Sequence, residues 1–117
     1  MASDYSQALA AYKVGAEGGD ATSQFMLGFM YEHGLGAPQD YKQARAWWEK
    51  AAAQDHHGAV RELGVLYLRG EGVTPSWRRA REYFKRAIQL GFSTARKDLD
   101  CVTRDIQQVS ASPINKS

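Results

Sequence analysis

GAEGGDATSQFMLGFMYEHGLGAPQDYKQARAWWEKAA, residues 15–52, decides the fold, because a looser version, GAVRELGVLYLRGEGVTPSWRRAREYFKRA, follows at residues 58–87. Setting each residue beside the one 36 positions later pairs Leu27 and Gly28 with Leu63 and Gly64, and Tyr31 with Tyr67. The same shift pairs Gly34 and Gly36 with Gly70 and Gly72, Ala44 with Ala80, and Trp47 and Trp48 with Tyr83 and Phe84. It also runs outward. Asp4 and Tyr5 fall on Asp40 and Tyr41, Ala8 on Ala44, Tyr12 on Trp48, and Leu63 on Leu99. A single offset with no gap marks a repeat architecture.

Within each unit the apolar spacing is helical. Ala21, Gln24, Leu27, Gly28 and Tyr31 follow the three-and-four spacing of one buried stripe, and Tyr41, Ala44, Trp47, Trp48 and Ala51 form another. The intervening stretches, GLGAPQD at 34–40 and GEGVTPS at 70–76, carry the signals of a helix stop followed by a start. Gly34 and Gly70 suit a left-handed terminating residue, proline blocks continuation, and Asp40 and Ser76 suit N-caps. Gly28 and Gly64 lie mid-helix, where glycine costs roughly 1 kcal/mol against alanine. That cost implies a close helix approach, with Ala44 and Ala80 expected as the facing partners and the aromatics at 47, 48, 83 and 84 filling the wider gaps.

The spacing predicts an all-α chain of six helices, near 4–17, 21–33, 41–54, 57–69, 77–90 and 93–109. One helix pair cannot bury its stripe alone, so the pairs are expected to stack antiparallel into an α/α solenoid. A repeat domain over 1–109 then comprises full repeats near 21–56 and 57–92 and half-repeats at 4–20 and 93–109. Asp100 and Thr103 replace the repeat's glycine and tyrosine, which suits a terminal cap, and the polar tail 110–117 is expected to be disordered.

These residues resemble the Sel1-like repeat family, a relative of the tetratricopeptide repeat. The 36-residue period and the GxG loops favour that family over the 34-residue tetratricopeptide, whose W-x2-L-G-x2-Y pattern also fits at 24–31 except for Gln24. The resemblance covers roughly residues 4–99 and implies an adaptor or scaffold that binds proteins or peptides.

By analogy with tetratricopeptide domains, the residues opposite the buried stripe of each first helix line a concave groove. They are Thr22, Phe25, Phe29, Glu32 and His33, then Gly58, Arg61, Val65, Leu68 and Arg69, then Thr94, Lys97, Cys101, Arg104 and Asp105. Such a groove is apolar at one end and basic towards the other, and would suit a peptide with an apolar anchor and an acidic flank. A modest helix rotation would instead bury Phe25 and Phe29, and the basic residues could equally form a solvated, salt-bridged face. Both alternatives stay open from the sequence.

Catalytic and metal signatures are missing from the pattern. GLGAP and GEGV lack the lysine and hydroxyl ending of a phosphate loop, and neither HExxH nor paired-cysteine spacing occurs. Cys101, the single cysteine, has no histidine on its helix to activate it, and adjacent His56 and His57 point apart. The expectation is no enzyme, no cofactor and no metal. WRRAREYFKR at 77–86 mixes basic and aromatic residues, but the aromatics belong to the buried stripe. That leaves a solvated basic face, or a patch for acidic protein or phosphate, and nucleic acid or phosphate on the basic helix 77–90 ranks below protein as a partner, in keeping with a net charge of only +2. Self-stacking through exposed end faces, or membership of a larger repeat protein, is the structural alternative. With neither an apolar run of about 20 residues nor a signal-peptide pattern, a cytoplasmic location is expected.

Overall fold

The structure, a computed structural model, describes residues 2–91, 97–100 and 102–104, with residues 2–4 described as backbone alone. Five helices follow one another: α1 (Ala2–Glu17), α2 (Ala21–His33), α3 (Tyr41–Ala52), α4 (His57–Arg69) and α5 (Trp77–Gln89). Helical backbone at 97–100 and 102–104 lies inside the last expected helix. The remainder of that expectation, and the tail at 110–117, lie outside the described residues. Among the described residues there is no strand, and each helix packs on its sequence neighbours, as an α/α solenoid requires.

Local signals set the helix ends. The carboxylate of Asp40 accepts from the backbone N–H groups of Lys42 and Gln43, and Ser76 Oγ accepts from Arg79 N–H. Gly34 and Gly70 end α2 and α4 in the left-handed region, and the N–H groups of Leu35 and Glu71 reach back to the carbonyls of Met30 and Leu66. Two caps were not anticipated: Asp20 opens α2, and His56 Nδ1 accepts from Ala59 N–H to open α4. Helix α3 stops two residues before its expected end, at Ala52. Asp55 is left-handed there (φ 62°), and the Gln54 side chain turns back to donate to Gly19 O and Gln24 Oε1.

The buried centre forms in two parts. Trp48, Ala44 and Ala51 meet Val60, Leu63 and Leu66, whereas Phe84 and Ala80 meet Val65, Tyr67 and Val102. At each level a ring lies over a glycine. A methyl group added to Gly28 would collide with the Trp48 indole, and one on Gly64 would stand 2.6 Å from Phe84. The close partner of each glycine is thus the aromatic ring and not Ala44 or Ala80, although both alanines are fully buried. The ring needs the missing Cβ volume because it packs directly against the first helix of its own pair. Trp47 stays partly exposed with Lys50 Nζ 4.5 Å above its ring, and Tyr83 stacks on Tyr67. Gln24, at the position of the tetratricopeptide tryptophan, is buried but satisfied, donating to Ala16 O.

Gly36 and Gly72 form the joints between pairs. Both have positive φ, and a methyl group on either would stand 2.6 Å from the helix that precedes its own pair, α1 at Tyr5 O or α3 at Tyr41 Cβ. Tyr5 and Tyr41 are themselves repeat equivalents, so both joints use the same pair of positions.

Candidate functional face of helices α2 and α4

The first helices of the pairs, α2 and α4, carry most of the expected groove residues. Phe29 is 38% exposed on α2, with the His33 ring tilted against it at 4.4 Å. Thr22, His33 and Arg69 are exposed beside it in the same register, and Lys97 and Arg104 are exposed on the following helical stretch. Glu32 is half-buried and 3.2 Å from His33 Nε2.

Other residues turn inward. Phe25 packs against the first part of the core and stacks on His56 at 4.8 Å, and it lines the space above half-buried Gly58. Val65 belongs to the core rather than to an open surface, and Leu68 packs partly against the same cluster. The physical reason is that Val65 is covered by the stretch carrying Val102 together with α5, so it is enclosed where Phe29, its equivalent on α2, is left exposed. Thr94, Cys101 and Asp105 lie outside the described residues.

The charges are organised by pairing. Arg61 donates Nε and Nη2 to the two carboxylate oxygens of Asp98 at 2.8 and 3.3 Å and also approaches Glu62. This fork ties α4 to the next helical stretch and matches the arginine's charge internally. Glu62 was not expected on this face. Burial pushes its carboxyl above the ordinary range, against the pull of Arg61 and Arg69, and burial with the nearby Glu62 charge does the same to Glu32. Glu32 and Glu62 therefore form a half-buried acidic pair on this face. The repeat offset held a signal for the Arg61 pairing, since 61 and 97 are equivalent positions and an opposite charge follows at 98.

Among the described residues no group of His, Cys, Asp or Glu is placed to hold a metal ion, and no helix is long and apolar enough to cross a membrane. The aromatics of 77–86 are withdrawn, with Phe84 buried and Trp77 and Tyr83 partly so, leaving Arg78, Arg79, Arg81 and Lys85 exposed.

Residues 21–56 and 58–92 each match the Sel1 repeat, which together is more than half of the chain. The chain belongs to the Sel1 repeat family. Among solved structures, the Sel1 repeat protein from Oxalobacter formigenes is 33% identical with a TM-score of 0.77, covering 80% of this chain and 38% of its own. A protective antigen of uropathogenic Escherichia coli strains that displays an SLR fold is 35% identical with a TM-score of 0.75, covering 78% of this chain and 20% of its own. This Sel1 repeat chain therefore spans less than two fifths of either relative. No curated protein matches it. The Sel1 repeat is commonly a protein-interaction module and generally not an enzyme fold.

Proposed function

We propose that this Sel1 repeat chain is a non-catalytic binding module that takes a peptide or protein segment along the α2–α4 face. The observation that carries this is Phe29, a large apolar side chain left 38% exposed on α2 amid half-buried and paired charges. A solvent-facing phenylalanine gains most when a partner covers it. The segment brings an apolar anchor to Phe29 and an acidic flank towards Arg69, Lys97 and Arg104, while Arg61 is already matched by Asp98.

Peptide selection on a displayed library, repeated against Phe29→Ala, tests the reading. Phe29 is outside both core clusters, so its truncation leaves the fold intact. Wild type should enrich apolar–acidic sequences that Phe29→Ala loses by roughly tenfold or more in affinity. Equal retention by both proteins would overturn the reading.

Self-stacking is the second reading, favoured by Tyr5 at 48% and Val14 at 72% exposure on α1. Light scattering that gives a concentration-independent mass near 13.0 kDa would remove it.

A further inference from the structure

The second helices of the pairs, α3 and α5, carry a different kind of surface. An open depression of about 480 Å³ is walled by Arg78, Arg79, Glu82, Tyr83 and Arg86. A second, of about 460 Å³, lies between Arg45, Tyr67, Arg79 and the 73–76 turn. The two adjoin at Arg79, so a strip runs from Arg45 on α3 to Arg86 on α5. It brings together four guanidinium groups and one carboxylate.

These arginines are held to different degrees. Arg86 is engaged by Asp55 at 2.7 Å and by Ala52 O at 2.8 Å. Arg79 lies over the Tyr67 ring, 5.4 Å from its centroid, with Nη1 3.5 Å from the phenol oxygen. Arg45 has only a 4.0 Å approach to Glu49, and Arg78 makes no ion pair among the described residues. Arg78 and Arg79 also occupy the first turn of α5, where the helix dipole disfavours positive charge and no acidic residue compensates. An anionic partner relieves that arrangement, and planar guanidinium groups suit carboxylates.

We propose that the Arg45–Arg78–Arg79 strip docks an acidic peptide segment through its aspartate and glutamate side chains. Two adjoining depressions sharing Arg79 suit an extended chain with several carboxylates better than a single ion, which would occupy one of them. Val73 and Pro75 add an apolar wall for its backbone and methylene groups. Glu82 repels a carboxylate at its own position and so favours spaced acids over a continuous run. Nucleic acid fits less well, because Tyr67 is only 7% exposed and Tyr83 is stacked on it, which leaves no open ring platform for bases. This surface is separate from the α2–α4 face and does not depend on it.

Fluorescence anisotropy with a short labelled peptide of alternating glutamate and serine tests the proposal. Wild type should bind at low salt and weaken as salt screens the charges. The Arg45→Glu, Arg78→Glu double variant should lose about tenfold or more in affinity, with Arg45→Gln, Arg78→Gln in its place if charge reversal lowers the Tm. An affinity changed less than about twofold by both double variants would overturn the proposal. So would tighter binding of a single-stranded oligonucleotide, or full displacement of the peptide by equimolar inorganic phosphate.

Discussion

Trp48 donates its indole N–H to the carbonyl oxygen of Phe25 at 3.1 Å while its ring fills the volume that Gly28 leaves free. The indole is fully buried, and the carbonyl belongs to the facing helix, so one residue both packs and hydrogen-bonds the first pair. In the second pair Phe84 lies over Gly64 in the same way without an N–H to place.

Gly28→Ala should lower stability, even though alanine gains roughly 1 kcal/mol in helix propensity, because the new methyl displaces the Trp48 ring. Trp48→Phe should cost only about 1–2 kcal/mol, since phenylalanine is the natural occupant one repeat later and the main loss is one hydrogen bond with some volume. Trp48→Ala should cost about 3–5 kcal/mol. Urea unfolding of the three variants checks this order, and a stable Gly28→Ala would contradict the packing.

His56 makes the fold sensitive to mild acid. Its Nδ1 accepts the Ala59 N–H and its ring stacks on Phe25, while burial, then the neighbouring His57, push the imidazole below its ordinary pKa. A lowered folded pKa means the unfolded chain takes the proton first as pH falls. The cap's contribution is therefore whole above about pH 6.5 and is lost as pH drops through the folded value. Thermal unfolding at pH 7.5 and 5.5 should show a fall in Tm that His56→Asn, a cap without a titrating ring, reduces.

Glu62 acts in the opposite sense. Its carboxyl is raised chiefly by burial, so the folded state holds a proton more tightly than the unfolded chain does. That contribution is complete below the ordinary glutamate pKa and is lost as pH rises through the raised folded value. Glu62→Gln should consequently raise the Tm at pH 7 and change it little at pH 4. A loss of stability at pH 7 would show that the link to Arg61 outweighs burial.

How far the sequence reached depended on how local the cause was. The helix stops at Gly34 and Gly70 and the caps at Asp40 and Ser76 were readable because each acts within a few residues. The stacking order followed from the period. The inward turn of Val65 was not readable, because it depends on a second neighbour, the stretch bearing Val102, whose packing no single-helix pattern contains. Phe25 and Phe29 looked equivalent on a helix wheel, and what separates them is the start of α4, where His56, Gly58 and the first part of the core receive Phe25 alone. His56 itself was hidden because histidine is an uncommon cap, whose role depends on which ring nitrogen faces the helix.

Gly36 seats against Tyr5 and Gly72 against Tyr41, so the same loop position meets the preceding pair in both repeats. Each loop thereby sets how one pair sits on the pair before it. Replacing either glycine would push its loop off the preceding pair and shift one repeat against the next without touching any residue of the α2–α4 face.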